Sequence, residues 1–308
     1  MSVSAEKYYA DLLGGKKTPP SLNASIAKIL HFGTPREAWL AHPRLNPNYR
    51  PYDARKFDLG KAAHNLLLEG GDKLLVINPE EHRNKPTKAD PEGGIPDGWT
   101  NAAMREARDS AYDAGKVPLL PYEMKQVQDM AYMAKDSIKR MGISLMAFET
   151  EKNIAFQISD THCRARVDML RDDGTLRIDY KTTSARTPDA WIRGYLTAMG
   201  HDIQDDFHNR AVEAVTGCKP RSLFLVQQDF GEFDCFWIEL SPAMKEVARV
   251  KVDRSLDKWS ACLEADHWPG WPAEVITAEA TQWQIAEVEE IEAQGFSPEA
   301  FLFGRVAE

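Results

Sequence analysis

HCRARVDMLRDDGTLRIDYKTT, residues 162–183, is the stretch on which the reading of this chain turns. Arg164, Arg166 and Asp168 alternate with Cys163, Ala165, Val167 and Met169. Further on, Arg177, Asp179 and Lys181 alternate with Leu176, Ile178 and Tyr180. Period-two alternation predicts two strands, each with one polar and one apolar face. Asp173-Gly174 is a favoured two-residue hairpin turn. If it joins the arms, Asp172 lies opposite Thr175, Asp168 opposite Asp179, and Arg166 opposite Lys181. Side chains so opposed sit about 4.5–5.5 Å apart at Cβ, where two carboxylates repel. A divalent cation between them turns that repulsion into binding. Lys181, two residues along the face from Asp179, then has the place of a catalytic group. The hairpin points to metal-dependent phosphodiester chemistry.

The rest of the composition sets bounds. With 308 residues the chain can bury a large core, as one elaborated domain or two. It has no apolar run of the length that spans a bilayer, and the N-terminal MSVSAEKYYADLLGGKK lacks the apolar core of a secretory signal. Cys163, Cys218, Cys235 and Cys262 are far apart, which fits reduced thiols in a cytoplasmic protein and speaks against a clustered iron–sulfur site. The net charge of −9 is unlike that of a generic nucleic-acid binder, so any grip on DNA must be local or topological.

Along the chain, Ser21–Ser25 is placed to cap a helix over Ile26–Leu30, and Thr34-Pro35-Arg36-Glu37 opens another with Pro at its first position. Leu59–Leu68 carries an apolar helical face, residues 78–99 read as a long surface loop, and helices follow near Asn101–Ala114 and Pro121–Met141. The β region begins near Ile143 and runs through Asn153–Ser159 into the hairpin. Helical sequence fills Pro188–Thr216. Strands Arg221–Phe230 and Phe233–Leu240 come next, then a helix from Ser241-Pro242 to about Leu263, and a last acidic helix near Thr277–Ala293. This order predicts an α/β fold: a mixed sheet with helices on both faces and a helical N-terminal extension. We expect one domain over 1–308, with a mainly helical part (1–142), a catalytic sheet with its helices (143–265) and a tail (266–308). Trp268-Pro-Gly-Trp271 in the tail either packs across the core or a subunit boundary, or stacks on a DNA end.

Several segments resemble the PD-(D/E)XK nuclease superfamily, and within it the exodeoxyribonuclease VIII (RecE-type) nucleases of phages and prophages. They are SLNASIAKILHFGTPREAWLAHP, LGKAAHNLLLEG, CRARVD, IDYKTT and HDIQDDF, which together span most of the chain. The resemblance implies a restriction-endonuclease-like core and a metal held by His64, Asp168, Asp179 and the carbonyl of Tyr180, with Lys181 as the catalytic lysine. It adds a glutamate on the strand before the hairpin, Glu151 or, in reserve, Glu149. It also implies a glutamine helix, here carrying Gln204. His201 and His208 stand where the family usually has tyrosines, so that face either fixes a phosphate, shuttles a proton or only packs. Arg164 and Arg166 either hold a phosphate or neutralise the carboxylates.

The implied activity is hydrolysis of linear double-stranded DNA with Mg²⁺, Mn²⁺ also being accepted because of the histidine ligand. Digestion 5′→3′ would leave 3′ overhangs for recombination with a single-strand annealing partner. A ring-shaped homo-oligomer, a tetramer before a trimer, would reconcile an acidic chain with DNA held by topology. A single-strand-specific or endonucleolytic enzyme of the superfamily is the nearer alternative, and a non-catalytic DNA-binding scaffold the more distant one.

Overall fold

The computed structural model describes residues 5–50, 58–88 and 90–295. Its helices are α1 (Ala5–Tyr9), α2 (Ala24–Phe32), α3 (Pro35–Leu40), α4 (Asp58–Leu68), α5 (Ala102–Asp113), α6 (Pro121–Arg140), α7 (Pro188–Trp191), α8 (His201–Thr216), α9 (Pro242–Ala265) and α10 (Gln282–Gln294). Strands β3 (Phe148–Ile158), β4 (Thr161–Arg171), β5 (Leu176–Thr183), β6 (Arg221–Gln228) and β7 (Cys235–Ile238) form one sheet in sequence order. Within this sheet β5 and β6 pair in parallel, joined through α7 and α8, and the other neighbours pair antiparallel. A second, two-stranded sheet pairs β1 (Leu74–Val76) with β2 (Val117–Leu119). The mixed α/β architecture is as read from the sequence. The β1–β2 pair is not, because three-residue strands are too short to show a period.

Helices cover both faces of the sheet. On one, Ile154, Phe156, Ala165 and Val167 pack with Phe207 of α8 and Trp259 of α9. On the other, Met169, Ile178 and Tyr180 pack with Ala63 and Leu67 of α4 and Met130 of α6. Several polar residues of the hairpin are therefore buried as well, Arg164 and Asp168 nearly so and Arg177 and Asp179 completely, while Arg166 and Lys181 are half-buried. Buried charge is tolerated where it is paired. Arg177 meets Asp205 of α8 and Asp179, and Arg164 meets Asp11 beyond α1.

Local signals account for most element ends. Thr34 and Glu37 form the capping box of α3, and Ser241 caps α9 ahead of Pro242. For α2 the cap is Asn23, whose side chain accepts from the Ile26 N–H. The helical stretch expected over Pro188–Thr216 is present, in more than one piece. A π turn (Ile192–Leu196) follows α7, and Gly200, at φ 63°, starts α8 afresh.

Residues up to Gly270 make one compact unit, and Trp271–Glu308 a second that includes α10. Trp268 packs edge-on against Trp259, ring centroids 5.3 Å apart, so the first part of the expected tail belongs to the main core.

Candidate active site

The hairpin keeps the predicted register. Leu170 pairs with Arg177 and Met169 with Ile178, although the connecting loop is four residues long, with the Gly174 N–H donating to Arg171 O. The ladder stops there. One step on, where Asp168 faces Asp179, the strands part and the Asp168 carboxylate accepts the Tyr180 N–H at 3.0 Å. The side chain thus replaces the missing strand partner and is itself held in place.

On the other side of β4, Glu151 faces Asp168: Thr150 pairs with Met169 and Lys152 with Val167, and the ladder skips the step between them. Glu151 has φ 54°, a left-handed conformation costing about 1–3 kcal/mol for such a residue. Its Oε2 accepts from Arg166 Nε, while its Oε1 is buried without a hydrogen-bond partner. His64 of α4 completes the group, its Nε2 3.3 Å from Glu151 Oε1 and 3.5 Å from Asp168 Oδ2. One helical turn earlier, Gly60 lets α4 approach β5. A Cβ there would lie 2.8 Å from Thr182 Oγ1. Glu69, just past α4, brings a further carboxylate: donor atoms of His64, Glu69 and Glu151 lie within 4.8 Å of one another.

Asp179 lies across the opening from Asp168. Its Oδ1 pairs with Lys181 Nζ, and its Oδ2 is 3.5 Å from Arg177 Nη1. Arg177 is anchored in turn by Asp205 and by Asn209 Oδ1 at 3.1 Å. Position and charge of Asp179 are thus set from α8.

The electrostatics follow from this crowding. Burial disfavours the His64 imidazolium, but Asp168 and Glu151 outweigh it and raise the pKa. Burial, offset in part by His64 and reinforced by Asp168, raises that of Glu151. For Asp179, burial is overcome by Lys181 and Arg177, which hold the carboxyl well below the usual range. Lys181 is its mirror image: burial opposes the ammonium, yet Asp179 and Asp168 keep the pKa above its ordinary value.

The remaining expected residues divide. Gln204 and His208 line a cavity of ≈ 390 Å³ together with His64, Asp168 and Arg166. His201 does not join them; it stacks on Trp191 at 5.6 Å and faces a second cavity, ≈ 620 Å³, with Lys181. Arg164 is 2% exposed and bound to Asp11 and Ser21, so of the two arginines it is Arg166 that reaches the carboxylates. Glu149 pairs with Lys152 at 2.8 Å and stays outside the group that Glu151 joins.

Glu69 and Lys28 have no role in the sequence reading. Glu69 lies beyond the periodic face of its helix. Lys28 is the one lysine in the mainly apolar α2, flanked by Ala27 and Ile29. Its Nζ donates to Gln204 Oε1 at 3.1 Å, and burial beside Lys181 lowers its pKa to about 8.

A family model described as a PDDEXK-like domain of unknown function (DUF3799) matches residues 37–279. The chain belongs to this family. The match contains α4, the hairpin and α8, so every expected metal and catalytic residue falls inside the PDDEXK-like domain. No curated protein matches the chain. Among solved structures, a crystal structure described as "Putative exonuclease" from Eubacterium rectale aligns at TM-score 0.59 and 12% identity, covering 92% of this chain and 98% of that one. At that identity it bears on the fold alone. An alkaline exonuclease from Laribacter hongkongensis aligns at TM-score 0.27 and 15% identity, covering 54% of this chain and 84% of that one, too slight an overlap to argue from. The PDDEXK-like domain supports a nuclease. Among the described residues no helix is long and apolar enough to cross a membrane.

Proposed function

We propose that the chain is a divalent-metal-dependent exodeoxyribonuclease that hydrolyses phosphodiester bonds of linear double-stranded DNA, 5′→3′, leaving 3′ overhangs for recombination. One observation carries the reading. Glu151 Oε1, a buried carboxylate oxygen that accepts no hydrogen bond, lies beside His64 and Asp168, and Asp168 faces Asp179, the partner of Lys181, on the next strand.

The donors fit a cation. A carboxylate held on a strained backbone, with a buried oxygen that accepts no hydrogen bond, has a coordination position left for a cation. His64, Asp168, Glu151 and, across the strand opening, Asp179 and the Tyr180 carbonyl would hold it. Oxygen donors suit Mg²⁺, and the imidazole makes Mn²⁺ acceptable too. When bound, the ion supplies charge for the phosphate oxygens and lowers the pKa of a water.

The protein's own groups do the rest. Lys181, kept as an ammonium by Asp179 and Asp168, neutralises charge that builds on the phosphate and orients the attacking water; a raised pKa makes it a poor base. Arg166 reaches a neighbouring phosphate, while Gln204 and Lys28 line the approach. Buried Arg177 holds Asp179 ionised. An acidic chain needs another means of keeping DNA, and a ring-shaped homo-oligomer, a tetramer, provides it by encirclement. The 3′ strand would pass to a single-strand annealing protein. The separated free cysteines fit an enzyme that works in the cytoplasm.

The test is to offer the purified protein linear duplex and covalently closed circular duplex with Mg²⁺. Loss of the linear form with the circle intact is expected. Cutting of the closed circle contradicts exonuclease action and favours an endonuclease of the same superfamily.

A further inference from the structure

Tyr8 and Tyr9 end α1, the first described helix, and they end it at the active site. The ring of Tyr9 lies 5.8 Å from the Arg166 guanidinium carbon. Arg166 binds Glu151, and Glu151 faces His64. A chain of contacts therefore leads from ring to guanidinium to carboxylate to imidazole. Its outer end is open: Tyr9 is 62% exposed. Tyr9 also borders both cavities that flank His64 and Glu151, one reaching Gln204 and the other Lys181.

The segment carrying this ring is pinned. Asp11, two residues on, is buried with φ 55°. It accepts the Ser21 N–H at 2.9 Å and pairs with Arg164 Nη1 at 3.0 Å. Tyr8 lies over Arg164 at 5.7 Å. A large aromatic so exposed, yet held in place by buried ion pairs next to its position, is built for a ligand rather than for the core.

We propose that Tyr9 is a substrate-positioning residue whose ring stacks on the nucleobase flanking the scissile phosphate. This rests on the nuclease reading above and adds the platform on which the strand end is aligned. With one side of the ring toward Arg166, a base takes the open side while its phosphate meets the guanidinium. Stacking is indifferent to base identity, as an enzyme that consumes whole strands requires.

The experiment compares Tyr9→Ala, Tyr9→Leu and Tyr9→Trp in steady-state digestion of linear duplex. In parallel, duplex carrying 2-aminopurine at its 5′ end is bound by Lys181→Ala protein with and without Tyr9→Ala. Alanine and leucine are expected to raise KM about tenfold, within the range of one lost base stack, with kcat changed less than twofold. Tryptophan keeps KM near wild type. The 2-aminopurine emission is quenched when Tyr9 is present and recovers in the double variant. A wild type that digests DNA, alongside alanine and leucine variants with unchanged KM and quenching, overturns the proposal. If the wild type digests no DNA, the nuclease reading fails separately, and quenching that persists without Tyr9 then rejects the platform on its own.

Discussion

Glu151 faces Asp168 across the β3–β4 pair at the single step where that ladder is interrupted, and its backbone is left-handed there. Two carboxylates, a buried oxygen that accepts no hydrogen bond and a strained φ at one point are costly features for a fold to carry without a ligand. Glu151→Gln removes one charge and keeps the shape. The metal-free variant is expected to melt no lower than wild type, while Mn²⁺ affinity measured by calorimetry falls at least about tenfold. Equal affinity in the two proteins would exclude Glu151 as a ligand.

Asp168 has a second task, since it also accepts the Tyr180 N–H where the hairpin opens. Asp168→Ala leaves that buried donor unmatched, at about 1–3 kcal/mol, whereas Asp168→Asn retains an acceptor. Both variants are expected to lose hydrolysis. Only the alanine form should show a lower midpoint in urea unfolding, and equal midpoints would mean the Asp168–Tyr180 bond contributes nothing.

Gly60 sets the seat of His64. The Cβ of Gly60→Ala would press on Thr182 Oγ1, and overpacking of this kind costs about 1–3 kcal/mol or shifts the helix. Weaker Mn²⁺ binding is expected for Gly60→Ala and recovery in Gly60→Ala/Thr182→Ala. A double variant no better than the single one would place the effect elsewhere.

Two buried histidines, His42 and His208, and the half-buried His201 make the fold sensitive to acid. Burial, helped by Arg164, lowers the pKa of His42 to about 4; burial with Lys181 and burial with Arg177 lower His201 and His208 to about 3. Each stays neutral in the fold where the unfolded chain, titrating near 6.5, takes a proton. Stability therefore falls as pH drops below about 6.5, by up to about 1.4 kcal/mol per pH unit for each histidine. His64 runs the other way, its raised pKa giving stability that is lost as pH rises. In His201→Phe, which keeps a ring on Trp191 and removes an unpartnered nitrogen, the loss between pH 6.5 and 4.5 is expected to be shallower. Urea unfolding at the two pH values checks it, and an unchanged slope rejects this role for His201.

What the sequence could reveal was local. Alternation and a turn were enough to bring Asp168 opposite Asp179, and the register of Met169 with Ile178 agrees. Cap residues such as Thr34 and Ser241 marked helix starts for the same reason. Long-range pairing left no local trace. Nothing near Arg177 announces Asp205 on α8, and nothing near Arg164 announces Asp11, so their faces read as merely polar when both are sealed. The φ of Glu151 was equally hidden, because strain at one step does not disturb the alternation around it.

Wild type and Lys181→Ala protein incubated with linear duplex DNA and Mg²⁺ test the central claim most directly. Degradation by wild type, with at least a hundredfold slower loss for Lys181→Ala at unchanged DNA binding, is the expected result. If neither protein degrades the DNA while both bind it, the site is not a nuclease and the chain is a DNA-binding scaffold.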